Sequence, residues 1–292
     1  VVWSDRWQEN WDNLPTIKGS LSDGLLKALD TPLKVEKKVE TTNPEAYEFY
    51  LKAKHKYNKR ENKDDTEIAR GLLKKAIELD DNLIVAKILL GTTYREMGDY
   101  DKAMEIYTPA LTQAEEIGDK HGMGSSLGNI GNVHYNKGDL DTALDYYERA
   151  LAIHEELFDK HAVGNSLHNI GVVYYRIGDY EKAYDFFTRS IKFNEEFGDK
   201  RNLGWSLCKM GEYYLDSDNY EKAVSYLEKA LKIARKLNMK GRYLSHLVLL
   251  YLCYKNIGNE YDKKEIQTIW KRNNNRRIFR WRRDKFLGFS GR

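Results

Sequence analysis

The chain has 292 residues, enough for one large domain or two small ones. Charged residues make up 32% of it, yet the formal net charge is only +3, and the composition is not that of a disordered, collagenous or membrane-spanning protein. The longest apolar run, from Leu247 to Tyr254, is much shorter than the ~20 residues that span a bilayer.

The N-terminal segment has a pattern of its own. Residues 3–7 read WSDRW, and a short link then leads to an apolar helix that ends at Leu29. This order resembles the last strand and helix of a TolB- or FlgO-like domain, although Pro15 and Gly24 depart from it. We therefore predict that residues 1–40 are the C-terminal remnant of such an α/β domain.

Helical periodicity begins irregularly at Pro44, a residue that suits the first turn of a helix. A polar stretch over residues 59–65 interrupts it. Ala69, Leu73 and Ala76 then resume an apolar pattern at helical spacing. These features predict an atypical first helix pair with a long internal loop.

Further along the chain, three motifs recur with a period of 40 residues. The copies begin at Gly98, Gly138, Gly178 and Asp218 for the first motif, at Ile130, Ile170 and Met210 for the second, and at Ala110, Ala150, Ser190 and Ala230 for the third. Several independent positions that agree over three or four copies indicate stacked repeats, because one such unit cannot bury its apolar face alone.

Each 40-residue copy reads as two helices. Asp119 is placed to cap the first helix of one copy, and Gly138 is placed to end it. A glycine that recurs inside the first helices, Gly131 in this copy, costs ~1 kcal/mol relative to alanine. That cost predicts a close helix approach, and we expect the matching contact from alanines of the second helices, which are Ala103, Ala143, Ala183 and Ala223.

The repeated pattern is leucine-glycine, two residues, tyrosine, and then alanine, aromatic and alanine. In one copy these are Leu90, Gly91, Tyr94, Ala103, Tyr107 and Ala110. The pattern resembles the tetratricopeptide repeat, and its spacing is similar to the longer variant of kinesin light chains and of the spindle-orientation adaptors that bind GoLoco proteins. Over residues 44–258 the resemblance implies an all-α, right-handed α-solenoid of about five antiparallel helix pairs, a tetratricopeptide superhelix.

The resemblance also implies a binding groove, because the first helices of such arrays line a concave face. Asparagine suits that face, since its amide both donates to and accepts from an extended peptide backbone. The alternative is an ordinary solvated helix face. The expected groove residues are Ser125, Asn129, Asn132, Asn136, Asn165, His168, Asn169, Arg176, Trp205, Lys209 and Glu212.

Three of these residues, Asn132, Asn169 and Lys209, match positions where some family members clamp a peptide's C-terminal carboxylate. Gly128 and Trp205 replace the two other lysines of that clamp. We therefore predict no complete carboxylate clamp.

The cysteines and histidines show no catalytic or metal-binding pattern. Cys208 and Cys253 lie in apolar helical stretches and are predicted to be buried reduced thiols, which favours a cytoplasmic protein. His121 and His161 are one period apart and their next equivalent is Arg201, so repeat symmetry accounts for them. Without a phosphate-binding loop or a metal spacing, we predict no enzyme activity, no cofactor and no metal.

Residues 259–292 are predicted to form a terminal helix and a basic tail. From Trp270 to Arg292 there are nine lysines or arginines and one acid. Such a run is typical of segments that bind nucleic acid or an anionic membrane. It is equally typical of a flexible tail or of sequence not native to the gene, and we expect neither nucleic acid nor membrane as a partner.

The leading hypothesis is a protein-interaction scaffold, expected to be cytoplasmic, bacterial and involved in signalling, that binds a peptide or partner protein. The alternative is the regulatory or sensor part of a larger bacterial signalling protein. There, a nucleotide cyclase, kinase or transcription regulator would precede Val1, and the missing initiator methionine agrees with a fragment.

Overall fold

The computed structural model describes residues 43–60 and 62–258, which are helical apart from short turns. The chain divides into two compact units, residues 1–153 and 154–292. The predicted α/β remnant over residues 1–40 and the basic tail over 259–292 lie outside the described residues.

The first unit holds three helix pairs, and the second unit contains the remaining described helices. Helices of the first unit are α1 (Pro44–Asn58), α2 (Lys63–Leu79), α3 (Ile84–Glu96), α4 (Tyr100–Ile117), α5 (Lys120–Lys137) and most of α6 (Leu140–Glu156). Those of the second unit are α7 (Lys160–Ile177), α8 (Tyr180–Glu196), α9 (Lys200–Asp216), α10 (Tyr220–Lys236) and α11 (Lys240–Ile257). Odd-numbered helices are the first helices of the pairs, and even-numbered helices are the second. The all-α class predicted from the repeats is confirmed for the described residues.

Side-chain caps and left-handed residues fix where several of the helices start and stop. The Asp119 carboxylate accepts a hydrogen bond from the Gly122 N–H at the start of α5. Gly138 ends that helix with φ 89°, a conformation that glycine adopts without penalty. Both predictions from the sequence are confirmed, and Asp159 and Asp199 cap α7 and α9 in the same way.

The first helix pair is more regular than the sequence predicts. Asn43 caps α1, and its amide also donates to the Leu79 carbonyl at 3.0 Å. The break after α1 is short, because Asn62 caps α2 and helix resumes at Lys63. The predicted long internal loop is therefore wrong. The acidic end of the polar stretch forms the first turn of α2 instead, because acidic side chains are favourable at the start of a helix.

Within each pair, the first-helix glycine meets a large side chain of the second helix. A Cβ added at Gly131 would lie 2.9 Å from the Tyr147 ring, and one at Gly171 would lie 2.8 Å from the Phe187 ring. The prediction that alanines of the second helices make the closest contact with these glycines is thus wrong. The alanines are fully buried, but the ring one helical turn further on reaches across to the glycine.

This contact predicts opposite effects for two alanine substitutions in α5. Gly131→Ala forces the buried Tyr147 ring to move and should lower the free energy of unfolding by about 1–3 kcal/mol. Gly128→Ala meets no atom within 4 Å and should raise it by up to ~1 kcal/mol through helix propensity. Urea unfolding followed by circular dichroism measures the free energy of unfolding of both variants. If both variants change it by the same amount in the same direction, the packing described is wrong.

Candidate functional site

The first helices of the first unit carry polar side chains that are tied to tyrosines of the second helices. The buried ring of Tyr107 brings its hydroxyl to 3.0 Å from Thr92 Oγ1 and 3.4 Å from Asn129 Oδ1. Asn129 also donates from Nδ2 to the Ser125 carbonyl at 2.9 Å. The Asn129 amide is therefore held at both ends, by Tyr107 of α4 and by the backbone of α5.

Asn132 is held by a second tyrosine. The Tyr147 hydroxyl donates to Asn132 Oδ1 at 2.8 Å, and burial raises the pKa of Tyr147, so the hydroxyl stays protonated as a donor. Within the described residues, the Asn132 NH₂ group has no acceptor at hydrogen-bond distance. Both of its N–H donors remain available to a ligand. Ser125 and Asn136 lie exposed on the same helix.

Arg95 is a half-buried cation of this region that was not among the residues predicted from the sequence. Burial raises the pKa values of Tyr107 and Tyr147, and the Arg95 charge lowers both. Arg95 Nε is buried without a hydrogen-bond partner, and no described carboxylate forms an ion pair with this side chain. Its neighbour Glu96 instead pairs with Arg60. The equivalent positions of later repeats hold Tyr135, Tyr175 and Leu215, so repeat comparison offered no signal.

The corresponding residues of the second unit lie on α7 and α9. Asn165 and Asn169 are half-buried, and within the described residues neither amide has a hydrogen-bond partner. Lys209 Nζ lies 2.7 Å from Glu212 Oε2, so these two charges balance each other along α9. Arg176 is exposed near the end of α7, and Trp205 is half-buried on α9.

His168 differs from the other predicted groove residues because its side chain is buried. Its Nδ1 lies 3.1 Å from Ser206 Oγ, and its ring packs 6.2 Å from the Trp205 ring. His168 therefore links α7 to α9, the first helices of two successive pairs, from a buried position.

A buried polar network surrounds that link. Ser190 Oγ donates to the Gly164 carbonyl at 2.9 Å and lies 2.8 Å from Ser206 Oγ. The Asn194 amide donates to the Ser190 carbonyl at 2.8 Å. Because buried polar atoms must find partners, this network fixes the register of α7, α8 and α9.

The described residues hold no metal-binding cluster, and both cysteines are buried. No group of three or more His, Cys, Asp or Glu side chains in residues 43–60 and 62–258 is arranged to bind a metal ion. Cys208 and Cys253 are buried as predicted, and burial raises the pKa of the Cys253 thiol to about 11. None of the helices described is both long and apolar enough to cross a membrane.

Comparisons with known proteins agree with the repeat pattern. A family model for the tetratricopeptide repeat matches residues 82–156, 122–196 and 162–236. A search of curated proteins found no match.

Solved structures with 17–22% identity share the fold. A signal transduction ATPase with numerous domains and a tetratricopeptide repeat sensor, from Pyrococcus horikoshii, has a TM-score of 0.65 and 22% identity over 78% of this chain and 35% of its own length. A Rap protein complexed with competence and sporulation factor has a TM-score of 0.65 and 17% identity over 86% of this chain and 68% of its own. BtubC (BKLC) from P. vanneervenii has a TM-score of 0.56 and 20% identity over 78% of this chain and 87% of its own.

The hydroxyl that holds Asn132 predicts different effects for two neighbouring tyrosines. Tyr147→Phe removes the donor to Asn132 Oδ1 and should lower the free energy of unfolding by about 1 kcal/mol. Tyr146→Phe removes a hydroxyl that has no partner among the described residues and should have almost no effect. Chemical denaturation of both variants provides the comparison, and equal losses would show that the Tyr147 hydrogen bond contributes nothing of its own.

Proposed function

This chain belongs to the tetratricopeptide repeat family, and we propose that it is a protein-interaction scaffold whose first helices bind an extended peptide or partner segment. The observation that carries the proposal is the fixed amide of Asn132, held by the Tyr147 hydroxyl with both N–H donors unused. A side chain that is already held loses little conformational entropy on binding. Such an amide recognises the carbonyl groups of an extended backbone without regard to its sequence.

Arg95 adds charge selectivity to the proposed surface of the first unit. A guanidinium without an ion pair that lies near Asn132's tyrosine partner suits an acidic group on the bound segment. The preferred ligand is therefore an extended segment with a carboxylate that lies against α3 and backbone carbonyls that lie against α5.

The second unit offers a related but less charged face. Asn165 and Asn169 have free amides one helical turn apart on α7. Lys209 is less suited to an acidic ligand than the sequence suggests, because Glu212 neutralises it. We propose that the face of the second unit binds a peptide backbone mainly through these two asparagines, with Arg176 at its margin. Ser125 and Asn136 lie at the margin of the face of the first unit.

The comparisons support an interaction or sensor role at the level of the fold. One similar structure is a Rap protein in complex with competence and sporulation factor, and another contains a tetratricopeptide repeat sensor. Within this proposal, the 40-residue period favours the longer repeat variant, which is the one found in kinesin light chains.

A second candidate function is the sensor part of a larger signalling protein. The chain spans 35% of the Pyrococcus horikoshii ATPase that it resembles, so a catalytic region beside the repeats has a precedent in that protein. In this proposal residues 1–40 end an upstream domain, residues 44–258 are the repeat array, and residues 259–292 are a terminal helix and tail. Reading the coding sequence upstream of Val1 tests it directly, because an open reading frame without a cyclase, kinase or DNA-binding domain would remove this candidate.

The binding proposal predicts a large loss of affinity from two changes in the first unit. Peptides selected on the intact chain from a random display library would be titrated by calorimetry. The double variant Arg95→Gln and Asn132→Ala should weaken their binding by roughly tenfold to a thousandfold, since each lost hydrogen bond or charge contact costs about 1–3 kcal/mol.

The matched control is Arg149→Gln, which removes an exposed guanidinium from the second helix α6. It should leave the affinity within about twofold. If the double variant remains folded by circular dichroism and binds as tightly as the unaltered chain, the first helices of this unit are not the binding surface.

A further inference from the structure

Phe158 occupies a backbone conformation that its side chain disfavours. The turns that follow α4, α8 and α10 each place one residue at positive φ, with 71° at Gly118, 71° at Gly198 and 53° at Asn238. Glycine and asparagine tolerate this left-handed region, but Phe158 adopts it as well, with φ 52°. Its ring is 83% exposed, so it contributes almost nothing to the core. Strain combined with exposure of an aromatic side chain points to a role outside folding.

A cavity of about 500 Å³ lies close along the chain to Phe158 in the second unit. It sits where α7 and α9 begin and where α8 and α10 end. Its cationic or titratable lining residues are Lys160, His161, Lys200 and Arg201, and its apolar lining residues are Phe197 and Leu237. Phe158 precedes Lys160 by two positions, and the Lys160 N–H donates to the Phe158 carbonyl at 3.0 Å. Phe158 and the cavity lining therefore both lie at the end of this unit where α7 begins.

The charges of the cavity favour an anionic ligand. Asp199 is its one lining carboxylate, and this group already accepts hydrogen bonds from the Arg201 and Asn202 N–H groups and from His161. Lys200 and Arg201 form no ion pair with any described residue. The Lys160 ammonium lies 4.1 Å from the centroid of the Phe197 ring, which supplies a cation–π contact but no countercharge.

We propose that this edge of the second unit is a docking surface for an acidic segment of a partner protein. The partner's carboxylates enter the cavity beside Lys200 and Arg201, and an apolar residue next to them packs on Phe158. A two-fold contact of this surface with the same surface of a second copy does not fit, because it would bring the same cations against the cavity. The surface is separate from the first-helix faces, since it is built from helix ends and inter-repeat turns.

The test uses the full chain and a fluorescein-labelled peptide in which glutamates flank a single leucine. Fluorescence anisotropy should show saturable binding that weakens as salt rises, because the contact is largely ionic. The pair Lys200→Gln and Arg201→Gln should weaken it at least about tenfold. The control pair Lys192→Gln and Lys232→Gln removes equal charge from exposed positions on α8 and α10 and should change it less than about twofold.

Phe158→Gly separates binding from folding. Glycine takes the left-handed conformation freely, so this variant should unfold at the same temperature as the unaltered chain or at a higher one. The same substitution should weaken the affinity for the peptide by roughly fivefold. Replacing the peptide's leucine by serine should lower the affinity by a similar factor.

Several outcomes would overturn the proposal. These are no saturable binding by the unaltered chain, equal losses in the two charge-removal pairs, or an unchanged affinity in Phe158→Gly. Binding of single-stranded oligothymidine that is tighter than that of the peptide and is lost in the same variants would assign the surface to nucleic acid instead.

Discussion

The close approach of a first-helix glycine to a large second-helix side chain determines most of the structure. A Cβ would lie 2.5 Å from the Tyr107 ring at Gly91 and 2.6 Å from Leu227 at Gly211. Only glycine permits this spacing, so its helix-propensity cost of ~1 kcal/mol is offset by burial of a whole ring. Where the ring is tyrosine, the same contact carries the hydroxyl through to the first helix. Packing and the polar character of the first helices thus have one cause in the first unit.

The second unit keeps the packing but changes the polar chemistry. Phe187 and Leu227 replace the tyrosines and bring no hydroxyl to the first helices. The Asn165 and Asn169 amides have no hydrogen-bond partner among the described residues. Polar contacts move inward instead, into the network of Ser190, Ser206 and His168. Neighbouring repeats with one backbone plan therefore differ in how firmly their exposed amides are held.

The sequence predicted the elements well because local signals set them. The caps of α5 follow from Asp119 and Gly138 alone, and the repeat period fixes which helix faces are apolar. The misses involve contacts between helices or the backbone conformation of single residues. His168 is buried and lies at hydrogen-bond distance from Ser206 of the next first helix. Arg95 stands out only through its proximity to two tyrosines, and Phe158 is unusual only because its φ is positive.

The most direct test of the interaction role is the response of asparagine side chains to a bound peptide. In ¹⁵N-edited NMR spectra, the side-chain NH₂ signals of Asn132 and Asn169 should shift during titration with a selected peptide, because these donors have no acceptor among the described residues. The Asn194 signal, buried and already donating to Ser190, should stay in place. Shifts confined to second-helix signals, with Asn132 and Asn169 unchanged at saturation, would contradict the account.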